Sequence, residues 1–284
     1  MTHRIALITD STCDIPQAWI KQYEIGIVPL TIIFGDKPFL DGLDLTAEQF
    51  YQRLDSESHH PTTSQPTPGA FLDAYKQAAA NGAEQVLVMT ISSAMSGTII
   101  SARQAMEESP IPVTVVDGKN NGMGLGWQVI AAARAREAGG DLAAMEAAAE
   151  FVRSRMKYYV TLDTIDYLSK GGRIAGAVSF VNSFLKIKPL INVKPETGSV
   201  GASIPARSRK SALDGLYKEF SKHFQLGQRL HTTIVHNNAL DEARQIAERF
   251  EAEFKPLEMF ITYASPVLGA HTGPQAVGMI GYAE

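Results

Sequence analysis

The chain has 284 residues, of which 45% are hydrophobic and 20% charged; that composition excludes a disordered or collagen-like chain and leaves length for one large or two ordinary domains. With 26 Lys and Arg against 30 Asp and Glu, the formal charge of -4 offers no electrostatic hold on nucleic acid or an anionic membrane as the main partner. A single cysteine, Cys13, excludes an intramolecular disulfide framework and fits a reducing, cytoplasmic compartment.

Taken in chain order, residues 5–9 predict a first strand, too short an apolar run for a signal-peptide core or a membrane span, and Pro16 opens the helix after it. A strand is expected over 27–34 and a helix from Pro68. Strands at 86–91 and 113–117 flank a helix at 97–108, the length and order of a parallel crossover. Two Ala-rich helices follow at 122–138 and 141–156, broken at Gly139-Gly140. The pattern changes near Arg155. Later strands are expected at 158–162, 189–193, 232–236, 258–262 and 277–282, with helices at 208–223 and 240–254 and an amphipathic segment at 178–186. Lys194 to Gly198 reads as a hairpin turn, which makes the second sheet mixed. The expected fold is therefore α/β: a first domain, 1–155, with a mainly parallel sheet, and a second, 156–284, with a mixed sheet. No integral membrane contact is expected, because no apolar run approaches the roughly 18 residues of a spanning helix.

Ligands in α/β sheets lie beyond the carboxyl ends of strands, so the loops after strands are where chemistry is sought. Thr9-Asp10-Ser11-Thr12-Cys13-Asp14 is such a loop, read either as a helix start capped by Asp14 or as ligand contact. In His59 to Gly69 three prolines stiffen a run of hydroxyls that includes Thr63 and Ser64, either a presented donor array or a rigid linker. The two histidines there read as solvent-exposed. Ser92-Ser93-Ala94-Met95-Ser96-Gly97-Thr98 joins a strand to a helix, so the hydroxyls of Ser93 and Ser96 and the free N–H groups around Gly97 make the best anion site in the chain. The same serines can equally be plain caps. His271 lies between Gly269 and Gly273 in a loop that would permit close approach to a ligand, and Arg173, Arg207 and Arg209 carry the side chain suited to carboxylate or phosphate. The Gly118 to Gly124 loop is a weaker candidate. No metal-binding, nucleophile-elbow, kinase or nucleotide-loop signature is present, so no cofactor is expected.

Thr9-Asp10-Ser11-Thr12, Thr63-Ser64-Gln65-Pro66-Thr67-Pro68, Ile91 to Thr98, Gly172-Arg173-Ile174, Lys188-Pro189, Arg207-Ser208-Arg209-Lys210 and Gly269-Ala270-His271-Thr272-Gly273-Pro274 span nearly the whole chain. Through them the sequence resembles the DegV family. The resemblance implies two α/β domains with a ligand tunnel between them. It also implies a long-chain fatty acid as ligand and, in some bacteria, a fatty acid kinase as partner that phosphorylates it, with no catalysis by the carrier itself. It assigns Thr63 and Ser93 to the fatty acid carboxylate, with His271 and Arg173 beside the head group. One arginine of the 207–210 segment, Arg207 in preference to Arg209, would sit where a phosphate is handled. Val178, Phe180, Val181, Phe184 and Leu185 could line the tunnel or simply be core. Two other functions stay open: a small hydrolase or phosphotransferase on acyl phosphates or esters using Ser93 or Cys13 with His271, and a lipid-sensing regulator.

Overall fold

The structure is a computed structural model that describes residues 4–56, 59–174 and 187–284. Its first half runs β1 (Ile5–Asp10), α1 (Gln17–Gln22), β2 (Ile25–Val28), β3 (Thr31–Phe34), β4 (Lys37–Leu40), α2 (Ala47–Ser56), β5 (Thr62–Ser64), α3 (Pro68–Ala80), β6 (Gln85–Thr90), α4 (Thr98–Met106), β7 (Val113–Asp117), α5 (Gly122–Glu137) and α6 (Leu142–Arg155). The second half runs β8 (Lys157–Thr161), α7 (Asp166–Lys170), β9 (Leu190–Val193), β10 (Val200–Ala202), α8 (Arg209–Ser221), β11 (Leu230–His236), α9 (Leu240–Phe254), β12 (Glu258–Tyr263), α10 (Pro266–Thr272) and β13 (Val277–Ala283). Local chemistry sets several boundaries. Thr67 Oγ1 accepts from Ala70 N at 3.2 Å ahead of Pro68, Asp141 Oδ1 accepts from Ala144 N at 2.9 Å, and Ser208 with Ser211 forms a capping box at α8.

Among the described residues three sheets result. The first is parallel, in the order β2-β1-β6-β7. The second is mixed, in the order β10-β9-β8-β13-β11-β12, and the hairpin at Lys194 to Gly198 closes its β9-β10 edge as expected. A third, antiparallel sheet, β4-β3-β5, was not expected. It exists because the run 27–34 is two strands rather than one: Pro29 has no N–H to continue a ladder, and after it the chain leaves β2 and pairs β3 with β4 and β5. The proline-rich stretch is therefore no free linker, since residues 62–64 are pinned to β3 in register, Thr63 opposite Ile32.

Each of the two larger sheets is covered on both faces. Ile8, Val28, Val86 and Val88 of the parallel sheet pack against Phe71 and Tyr75 of α3 and Ala102 of α4, while Leu7, Ile25, Leu87 and Met89 point the other way, toward α5 and α6. On the mixed sheet, Leu190, Ile234 and Met279 pack with α8 and α9, and Tyr158, Val160, Ile191 and Ile280 turn toward the same α5 and α6. These two helices thus lie between the sheets, and the core they build takes residues from both halves of the chain. A helix in that position is buried nearly all round, which is why α5 shows no apolar stripe. Trp127 of α5 is fully buried and its indole donates to Thr233 Oγ1 of β11 at 3.0 Å.

Two readings are corrected, one at the first loop and one around His271. Asp14 does not cap α1, whose N-cap is Pro16; it ends a 3-10 turn at Ser11–Cys13 in the left-handed region, φ 52, and turns its carboxylate to Ser265 N at 2.9 Å. The stretch around His271 is not a loop but α10, with Pro266 in its first turn. Among the described residues no helix is long and apolar enough to cross a membrane. Trp127→Ala should lower unfolding free energy by about 3–5 kcal/mol through the cavity it leaves, and Trp127→Phe by less, about 1–3 kcal/mol, through a smaller cavity and the hydrogen bond lost to buried Thr233, both read from urea denaturation midpoints.

Candidate functional site

A cavity of about 320 Å³ opens where β5, the loop after β6, the end of α7 and α10 meet the inner face of the mixed sheet. Its walls divide by chemistry. Thr63, Ser64, Gln65, Ser96, Arg173 and His271 supply a polar end. Ile91, Met95, Tyr158, Val160, Ile191 and Leu268 are among the apolar walls. A volume of this size stands at the lower end of the roughly 300–1,000 Å³ of small-molecule pockets, whose usual composition is apolar walls with a few placed polar groups.

At the polar end, Thr63 Oγ1 and His271 Nε2 are 2.8 Å apart although 208 residues separate them in sequence. Thr63 is held by the β3 ladder and His271 by the last turn of α10. The C-terminus of α7 closes over the ring. A Cβ at Gly171 would come within 2.1 Å of His271 Nδ1, so only glycine permits that approach. Arg173 follows directly, donating from Nη1 to Gly171 O at 2.7 Å and from Nε to Met95 O at 3.2 Å. Both partners are neutral carbonyls, so the guanidinium's charge is not neutralised by them.

Burial pushes His271 down to about 4, and the positive charge of Arg173 and the neighbouring His60 add to the shift. Near neutral pH the ring is uncharged and serves as a hydrogen-bonding group, while Arg173 supplies the cation. His60 is not solvent-exposed as expected. It is half-buried with its ring 5.1 Å from that of Tyr167, and burial lowers its pKa. His59 is exposed.

The structure brings together Thr63, Ser64, Ser96, Arg173 and His271. It keeps others away. Ser93 is exposed, and its hydroxyl donates to Asp117 Oδ2 at 2.5 Å while its N–H donates to Asp117 Oδ1, so the serine is spent on fixing the loop and does not line the cavity. Gly97 is the N-cap of α4 and likewise lies outside the lining. Arg207 is exposed, and Arg209 is turned to Glu242 of α9, Nε to Oε1 at 2.9 Å; neither reaches the cavity. Val178, Phe180, Val181, Phe184 and Leu185 fall outside the described residues. Cys13 is buried, and loss of solvent raises its thiol, so it carries no thiolate to pair with His271. Among the described residues no group of three or more His, Cys, Asp or Glu gathers as a metal site.

A family model described as "Uncharacterised protein, DegV family" matches residues 4–284. The chain belongs to the DegV family. A DegV domain-containing protein of Streptomyces coelicolor is 33% identical over 282 residues, covering 99% of each chain. Among solved structures, the chain is similar to a DegV family protein from Thermus thermophilus described by its fatty acid binding, at 31% identity and TM-score 0.91 over 99% of this chain and 100% of the other. It is also similar to DegV of Bacillus subtilis, described as a fatty acid binding protein, at 26% identity and TM-score 0.91 over 99% and 100%. The α/β architecture with one parallel and one mixed sheet is thus that of DegV proteins.

Several cavity residues of this DegV chain were not singled out from sequence. Gln65 stood inside a quoted motif, and Asn121 inside the weakly rated loop after β7. Tyr158 and Val160 alternate along β8, and Val160 pairs with Ile191 of β9; the period of two marked a buried face without telling a cavity wall from solid core. An NMR titration of the His271 ring should show it neutral down to about pH 4. In Arg173→Ala the midpoint should rise toward the ordinary value of about 6.5, because a repelling charge is removed. Since folding depresses this group, its share of stability is complete above about pH 6.5 and is lost as pH falls toward 4.

Proposed function

We propose that this chain binds a long-chain fatty acid, with the carboxylate at the Thr63, His271 and Arg173 end of the cavity and the acyl chain against its apolar walls, and that it presents the head group to a fatty acid kinase in the cytoplasm. The observation that carries the reading is the gathering of Thr63, His271 and Arg173 at one place in a cavity whose other walls are mostly apolar. The fatty acid binding described for the Thermus thermophilus and Bacillus subtilis proteins supports it.

The energetics agree with a carrier. Each methylene removed from water contributes about 0.8 kcal/mol, so ten or more supply on the order of 8 kcal/mol before ordering costs, and the head group chiefly sets orientation. Thr63 and Ser96 can donate hydroxyl hydrogens, and Arg173 a charge-assisted bond, to a carboxylate placed among them. Arg173 is exposed, as are Ser64 and Gln65 beside it, so a second protein could also reach it. We assign no catalysis to the chain. Thr63 and His271 have the spacing of a hydroxyl and its base, but among the described residues His271 Nδ1 is buried with no hydrogen-bond partner, so none of them acts as the third group that orients a catalytic base.

Protein prepared from a bacterial host should release a long-chain fatty acid on organic extraction, seen by mass spectrometry, and delipidated protein should take up oleate or palmitate. A lipid-free preparation that binds neither would end the proposal. Thr63→Val combined with Ser96→Ala should weaken oleate binding by about a hundredfold or more in protein that still folds by circular dichroism, since each hydrogen bond to a charged group is worth roughly 1.5–3 kcal/mol. Arg173→Ala should reduce phosphorylation by a fatty acid kinase more than it reduces binding. Turnover of acyl phosphates or esters by the isolated chain, abolished in His271→Ala, would instead favour the hydrolase reading.

A further inference from the structure

The helix that carries His271 has only seven residues, too few to hold its own place. Its position is imposed at both ends by buried polar groups. At the N-terminal end Ser265 N donates to Asp14 Oδ1 at 2.9 Å, and the Val267 N–H faces Asp41 closely enough to favour its charged form. Just before the helix, Tyr51 Oη donates to Ala264 O at 3.4 Å. At the C-terminal end Asn237 Nδ2 donates to Thr272 Oγ1 at 2.7 Å and to Gly273 O at 2.6 Å.

The two acids reach this helix from far away in the chain. Asp14 closes the turn after β1, and Asp41 follows β4, where its Oδ2 accepts from Ser11 Oγ at 2.7 Å. Among the described residues neither carboxylate has a cation acting on it; the charged neighbours of both are other carboxylates, and burial opposes their ionisation. Among the described residues, Asp14 Oδ2 and Asp41 Oδ1 accept no hydrogen bond of good geometry. Two carboxyl groups kept at this desolvation cost, aimed at one short helix, call for a reason beyond ordinary capping. From this geometry we propose that Asp14 and Asp41 are positioning residues: they seat α10 so that His271 meets Thr63 at the polar end of the cavity. The inference deepens the carrier reading and rests on it only where ligand affinity is measured.

The test is made on the full chain without ligand, by the imidazole nitrogen resonances of His271 at neutral pH, and then by oleate affinity. Asp14→Ala and Asp41→Ala should each displace those resonances and weaken oleate binding by about tenfold. Asp14→Asn, which keeps an oxygen acceptor for the Ser265 N–H, should restore both to the wild-type values. Should Asp14→Ala not fold, Ser265→Pro carries the same test by deleting the donor, at a residue whose φ of -56° suits proline. Ile234→Val, in the core between the mixed sheet and α8 and α9, controls for lost stability alone and should leave the His271 resonances in place. Unmoved His271 resonances in the folded Asp14 and Asp41 variants, or an Asp14→Asn protein that behaves like Asp14→Ala, would overturn the assignment. Wild-type protein that takes up no oleate would instead count against the carrier reading, and the ligand-free spectra would still decide this one.

Discussion

Two groups 208 residues apart share a hydrogen bond, Thr63 with His271, and that contact depends on a helix from the end of the chain being laid on a sheet from its beginning. Burial does most of the seating. Val267 and Ala270 of α10 pack with Ile32 of β3 and with Phe50 and Tyr51 of α2 in one apolar cluster. Apolar burial has no preferred direction, so it cannot by itself set the rotation or height of so short a helix. The hydrogen bonds that Asp14 accepts and Asn237 donates at its two ends supply that direction, and the ring of His271 is fixed as a result.

A second constraint places the cavity's other wall. α5 and α6 occupy the space between the parallel and mixed sheets and share a core with the facing side of each. The sheets are therefore held at a set separation, and the loops after β6 and β7 come to rest against the β9-β10 hairpin. Gly198 in that hairpin, φ +67, lies where a Cβ would be 2.1 Å from Ser92 Oγ, and Lys119 Nζ donates to Glu196 O at 3.2 Å. The cavity is what remains beside this contact, bounded by Ile91 and Met95 on one side and by Tyr158, Val160 and Ile191 on the other.

Charge is distributed to match. The inner part of the polar end is neutral, because burial keeps His271 unprotonated near pH 7, and the cation, Arg173, stands at the exposed edge. An organic acid entering head group outward would leave its carboxyl close to solvent and its tail dry, the arrangement in which each part loses least.

Many of the regular elements were legible from local pattern, though α2, β4, β5 and α7 were not expected and α10 was read as a loop. β6, α4 and β7 follow from apolar runs around one helix of crossover length, α5 and α6 from Ala-rich runs broken by two glycines, and the mixed sheet from the turn at Lys194 to Gly198. The motifs also named the segments that hold Thr63, Ser96, Arg173 and His271. What local pattern did not carry were relations between distant segments: the split of 27–34 between two sheets, the pinning of Thr63 by β3, the turning of Ser93 to Asp117 and of Arg209 to Glu242, and the reach of Asp14 to Ser265. Residue type and spacing limit which backbone conformation is favourable and which faces must be buried, and those are short-range matters. Which of two neighbouring serines, or which of several arginines, is free to meet a ligand depends on the partners that packing delivers to it, and packing is a property of the assembled chain.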